Sequence, residues 1–110
     1  MTTSVTTTNA ERKKRITAQK PTKLMSEMAN ICIKGMGEYW SLNVESKLMS
    51  DGTTHHEFHF VLNEEKHLII TNNDLKQITS FATMVGAFGW YISKDYYTNQ
   101  MTFTVSVSTD

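Results

Sequence analysis

The chain has a single cysteine, a single proline and no net charge, with eleven cations set against eleven carboxylates in 110 residues. One cysteine, Cys32, allows no internal disulfide, which fits a reducing compartment and makes the cytoplasm the expected location. Unbroken apolar runs, such as Leu68–Ile70, do not exceed three residues. A helical membrane span needs roughly 20, so no membrane partner is expected. Met1–Ala10 lacks the apolar stretch of a secretory signal. Its threonines and the basic residues after it bear a faint likeness to an organelle transit peptide, but the amphipathic apolar face of such peptides is missing.

Catalytic signatures are also lacking. The glycines cluster at Gly35-Met36-Gly37 and Gly86-Ala87-Phe88-Gly89, and each cluster follows a predicted helix. A phosphate cradle needs its glycines before a helix, where backbone N–H groups point outward, so these read as helix stops and turns. Cys32 falls on the apolar arc of a predicted helix and reads as a small core hydrophobe rather than a nucleophile. The neighbouring carboxylates Glu64 and Glu65 fall in a predicted turn and support no acid/base role. No catalytic residue, no cofactor and no metal set is assigned from the sequence.

What is present is the composition of an ordinary globular domain, 39% hydrophobic and 20% charged. A chain of this length has room for one domain. Charge is unevenly placed. Residues 11–23 hold Arg12, Lys13, Lys14, Arg15, Lys20 and Lys23 against Glu11 alone, while residues 24–110 hold five lysines against ten carboxylates. The first ten residues contain five threonines and almost nothing apolar, too little to offset the entropy of ordering. Residues 1–14 are therefore expected to be a flexible, Thr-rich and basic arm, and 15–110 a single α+β domain.

Periodicity assigns two helices and four strands. After Pro21 and a capping Thr22, the residues Leu24, Met25, Met28, Ile31 and Cys32 recur at helical spacing, with Gly35 as the stop. Asn73 or Asp74 is expected to cap a second helix bearing Leu75, Ile78, Phe81, Ala82 and Val85, closed by Gly86. Alternation predicts strands around Trp40–Val44, Phe58–Leu62, Trp90–Ile92 and Met101–Val107. Turns are expected at Asp51-Gly52 and Thr98-Asn99. Leu68–Thr71 and Ile16–Gln19 read as two further short strands. The fold expected is a two-layer sandwich, a mainly antiparallel sheet of four to six strands with two helices on one face. A repeat is also visible: Trp40 and Leu42 match Trp90 and Ile92 at an offset of fifty, and Phe58, Phe60 and Leu62 match Phe103, Val105 and Val107 at forty-five. A duplicated (β)αββ unit would produce it.

Three surfaces remain for function. Strand alternation puts His55, Glu57 and His59 on the polar face of the sheet. Imidazole and carboxylate are zinc ligands, yet His55 and His59 are about 13 Å apart on a straight strand, too far to share one ion. Glu57 and His59 would need His67 or Glu45 from a neighbouring strand. A solvated polar face is the preferred reading, and a small metal-dependent enzyme the third choice. The second surface is the basic arm, with Arg12, Lys13, Lys14, Arg15, Lys20 and Lys23 as candidates for neutralising phosphates or an acidic partner. The third comprises Ile33 and Met84, which lie off the predicted core arcs, with Met36 flanking them, a set that suits a protein contact. The function expected is a non-enzymatic interaction module. Its arm would contact nucleic acid, and its body would contact itself or another protein. The alternative is an assembly subunit whose arm threads onto a second copy.

Overall fold

The computed structural model describes residues 19–63 and 70–110. The arm and the basic run Arg12–Arg15 lie outside them, as do Glu64, Glu65, His67 and most of the expected strands at 16–19 and 68–71. Within the described residues the chain is an α+β fold of two helices and one four-stranded antiparallel sheet. The order is α1 (Lys23–Met36), β1 (Trp40–Leu48), β2 (Thr54–Leu62), α2 (Asn72–Met84), β3 (Gly89–Lys94) and β4 (Met101–Thr109).

Both helices start as short polar side chains dictate. Thr22 caps α1, its hydroxyl accepting from the Met25 N–H. At α2 the cap is Thr71 rather than Asn73 or Asp74. The Thr71 hydroxyl accepts from the Asp74 N–H while the Asp74 carboxylate accepts from the Thr71 N–H, a reciprocal capping box. The helix therefore begins earlier than the apolar spacing suggested. Gly86, at φ 67°, follows α2 as expected. The stop of α1 is Gly37 at φ 105°, not Gly35. Gly35 serves the helix pair instead: a Cβ there would lie 2.6 Å from the Gln77 side chain, and its carbonyl accepts from Asn73 Nδ2 at 2.8 Å.

Alternation is clearest in β2, where Thr54, His56, Phe58, Phe60 and Leu62 are buried and the residues between them half-buried. Phe58, Phe60, Phe103 and Val105 form one core with Ile78 and Phe81 of α2 and Ala29 and Cys32 of α1. Phe81 meets Phe58 and Phe60 edge-on at 5.1 and 5.6 Å, a preferred aromatic geometry. One core thus joins both helices to one face of the sheet, in keeping with two layers.

The α1 face is rotated from its expected setting. Ala29, Cys32 and Met36 are buried, Ile33 is half-buried against the core, and Ile31 is 65% exposed. At about 100° per residue, Met25, Ala29, Cys32 and Met36 share a narrow arc, and Ile33 lies nearer its centre than Ile31 or Leu24. Ile33 and Met36, placed at a solvent-facing partner surface by the sequence pattern, are therefore core-packing residues. Met84 is exposed, as expected.

The sheet order is β1-β2-β4-β3, so the two hairpins meet through β2 and β4. Phe58 pairs with Val105 and Phe60 with Phe103. An offset of forty-five exchanges these two pairs, as a local two-fold relation between the halves requires. The hairpins themselves differ: Trp40 pairs with Leu62, whereas Trp90 pairs with Val105 instead of Val107. A slip of two residues keeps every side chain on its face but shifts Trp90 along the sheet. The arrangement is consistent with duplication followed by divergence of the second hairpin.

Candidate functional site

Two surfaces outside the core combine unusual chemistry with exposure: the polar face of β1 and β2, and the free edge formed by β3.

On the polar face, His55, Glu57 and His59 project opposite to Phe58 and Phe60, as alternation predicts. The β1–β2 register then supplies what one strand cannot. Glu45 stands directly opposite Glu57, and Asn43 opposite His59. Like charges facing each other across a ladder are destabilising. His59 reaches between these two carboxylates, its Nε2 3.5 Å from Glu57 Oε1 and 3.8 Å from Glu45 Oε1. Its other nitrogen, Nδ1, is 2.9 Å from the hydroxyl of Thr104, which is itself buried on β4. The second Glu57 oxygen lies 3.4 Å from His55 Nε2, and the His55 ring packs on Phe88. His59 Nε2 is closed to solvent and has no hydrogen-bond partner among the described residues. Glu45, Glu57 and His59 are thus a set able to hold a metal, with one ligand atom from each within 4.8 Å of the others.

The register follows from the connection at 49–53. Met49 N–H donates to the Thr53 carbonyl, Gly52 takes φ 90°, and the Asp51 carboxylate accepts from the Thr53 N–H and hydroxyl. These bonds hold the Asp51 carboxyl below its ordinary pKa. Centring the hairpin on Asp51 is the signal that would have placed Glu45 opposite Glu57 from sequence.

The second surface was not anticipated. β3 pairs only with β4 among the described residues, and all six of its residues are exposed. Trp90 and Ile92 point toward the helix side and Tyr91 toward the polar side. Phe88 precedes the strand, and the hairpin beyond it presents Tyr96 and Tyr97, 89% and 92% exposed and packed edge to face at 5.5 Å. Asp95 fixes that hairpin by accepting from the N–H groups of Tyr97 and Thr98, which lowers its own pKa. Asn99 turns the chain at φ 60°. The available signal was the run Trp90-Tyr91-Ile92, which is apolar on both faces of one strand. β1, the opposite edge, carries Glu45 and Lys47 in its middle and second half, charges of the kind that discourage strand addition; β3 carries one such charge, Lys94, at its end.

The remaining candidates are quieter. Lys20 and Lys23 of the basic set are exposed beside the start of α1. Cys32 is buried, donates to the Gln77 carbonyl at 3.3 Å, and has its thiol pushed up to about 12 by burial, which disfavours the nucleophilic thiolate. A cleft beside Met36, Tyr39, Trp40 and Leu62 ends at Asp74, whose carboxylate is committed to the capping box. No helix among the described residues is long and apolar enough to cross a membrane. No protein-family model matches the chain, and no curated protein or solved structure matches it either.

Proposed function

We propose that this chain is a non-enzymatic interaction module whose folded body associates with a second copy along β3, while its basic arm contacts nucleic acid. The observation that carries the first half is the outer edge of β3, unpaired among the described residues and apolar on both faces at Trp90, Tyr91 and Ile92. Exposed strand edges template pairing with another chain, and an edge that pairs with its own image closes about a two-fold axis.

β3 suits its own image. An antiparallel pair centred on Tyr91 sets Trp90 opposite Ile92 of the second copy and Tyr91 opposite Tyr91. Aromatic–β-branched and aromatic–aromatic cross-strand pairs each contribute roughly 0.2–1 kcal/mol beyond the backbone bonds. The two sheets then run on as one, and Tyr96 and Tyr97 flank the junction. Tyrosine and tryptophan are the residues that most often dominate binding energy at interfaces.

The second half rests on charge. Six cations against one carboxylate within residues 11–23, beside an acidic remainder, favour a salt-sensitive contact with phosphates. Light scattering over a range of concentrations tests self-association: the native chain dimerises, and Ile92→Lys is monomeric at the same concentrations. A native chain that stays monomeric throughout removes the proposal. Binding of a short duplex or single strand at two salt concentrations tests the arm. The intact chain loses affinity as salt rises, and a chain beginning at Pro21 binds weakly at both. Equal, salt-insensitive binding by the two chains excludes the arm.

A further inference from the structure

The polar face carries an inference independent of self-association. We propose that Glu45, Glu57 and His59 bind a divalent transition-metal ion of the zinc class, clipping β1 to β2 on the side of the sheet away from the core.

Donor chemistry agrees, and the two separations from His59 Nε2 come close. Zinc takes imidazole nitrogen and carboxylate oxygen at about 2.0–2.2 Å, and tetrahedral angles at that radius set neighbouring donors roughly 3.3–3.6 Å apart. The His59 Nε2 to Glu57 Oε1 separation, 3.5 Å, falls in this range. The separation to Glu45 Oε1, 3.8 Å, exceeds it by a few tenths. Glu45 is the exposed member of the set, free to close that gap by rotating a surface side chain. These separations are long for hydrogen bonds but natural for atoms sharing an ion.

The surroundings prepare each donor. His59 Nε2 is shielded from water and meets no hydrogen-bond partner among the described residues, a costly state for a polar atom unless it has a ligand. Its Nδ1 lies on the Thr104 hydroxyl at 2.9 Å. When Nδ1–H donates there, the Nε2 lone pair is directed at the two carboxylates, the arrangement that metal-binding histidines use. Glu57 is steadied through its other oxygen by His55. A cation between Glu45 and Glu57 also relieves their repulsion across the ladder. The imidazole favours a transition metal over magnesium or calcium, which prefer oxygen-only sites. Three protein donors leave a fourth position for water or for a donor from a bound partner.

The test is calorimetric titration of Zn²⁺ and, separately, Mg²⁺ into the full chain, purified without a histidine tag and stripped with a chelator. The expected result is one Zn²⁺ per chain, a higher melting temperature with Zn²⁺, and no comparable response to Mg²⁺. Glu57→Gln and His59→Gln each weaken Zn²⁺ binding at least tenfold. Thr104→Val, which touches no metal, weakens it by about 10–100-fold through loss of the Nδ1 partner. Equal binding of Mg²⁺ and Zn²⁺, or undiminished Zn²⁺ binding by His59→Gln, overturns the proposal and leaves an imidazole–carboxylate cluster without a metal role. Should His59→Gln not fold, the imidazole resonances of the native chain decide: Zn²⁺ must perturb His59 before the other histidines.

Discussion

Trp40 and Trp90, fifty residues apart in sequence, pack against the same ring, Phe103, with centroid separations of 5.6 and 6.0 Å. They are the matching residues of the two hairpins, yet Trp40 is 7% exposed and Trp90 39%. The register slip in the second hairpin accounts for the difference, and it leaves Trp90 on the edge that a second copy would cover.

That asymmetry makes fluorescence a reporter. Trp40→Phe leaves only Trp90, and its emission is expected to move to longer wavelength as dilution separates the proposed β3 pair. Trp90→Phe leaves only Trp40, whose emission is expected to be insensitive to dilution. Identical concentration dependence in the two variants would place the interface away from β3.

His56 sets a pH dependence. It is fully buried on the core side of β2, its ring held by Ser46 Oγ and Thr109 Oγ1, each at 2.8 Å. Burial, with a smaller contribution from the charge of His55, lowers its pKa below the ordinary value of 6.5. The unfolded chain therefore takes up this proton at higher pH than the folded one does. Stability from this residue is complete above about pH 6.5 and declines as pH falls toward the folded-state pKa. Melting temperature measured from pH 8 to pH 5 is expected to fall, and His56→Gln, which can still bond both hydroxyls, is expected to flatten part of that slope.

The strands were legible because β2 and β4 alternate apolar with polar side chains, and a two-residue period then fixes which of them meet the core, although Thr104 and Ser106 on the polar side of β4 are buried as well. Helix α1 was less legible. Its deepest residue, Ala29, carries little apolar weight, so Leu24 and Ile31 pulled the inferred face away from Ile33 and Met36. The candidate site was half legible. His59 and Glu57 could be assigned to one face from β2 alone, but Glu45 arrives through the register of the first hairpin and Thr104 through the pairing of β2 with the distant strand β4. The β3 edge was obscured for a different reason: β1 and β3 are both edge strands, and the register that leaves Trp90 exposed where Trp40 is buried is not encoded by alternation.

Glycine substitutions separate a position whose backbone requires glycine from one whose backbone does not. Gly37 has φ 105° and ψ −179°, a region essentially reserved for glycine, where other residues carry strain of about 1–3 kcal/mol. Gly37→Ala is expected to destabilise the domain by that order in urea unfolding, although open space surrounds the position. Gly89 has ordinary extended backbone and equal room. Gly89→Ala is expected to be neutral or stabilising by up to about 1 kcal/mol, because it restricts the unfolded chain.

The start of α2 depends on Thr71. Replacing it with Ala removes the hydroxyl that satisfies the Asp74 N–H and half of the capping box. A loss of about 1 kcal/mol is expected, with the slope of the denaturation curve unchanged. Thr71→Ser keeps the acceptor and is expected to retain most of the stability. If Ala and Ser behave alike, the cap contributes nothing and α2 is held by its apolar face alone.

That apolar face centres on Phe81, which packs on two aromatic rings of β2. Phe81 is fully buried and meets Phe58 and Phe60 edge-on, so Phe81→Ala removes a large side chain and two favourable ring contacts from the middle of the core. Such truncations cost about 3–5 kcal/mol, part of it from the cavity left behind. A domain of this size has a total stability of roughly 5–15 kcal/mol, so the variant is expected to lose much of its cooperative thermal transition. Phe81→Leu preserves more volume and is expected to lose less than half as much. A Phe81→Ala protein with near-native melting temperature would mean that α2 does not pack on β2 as described, and the division of the sheet into a core face and a polar face would fail with it.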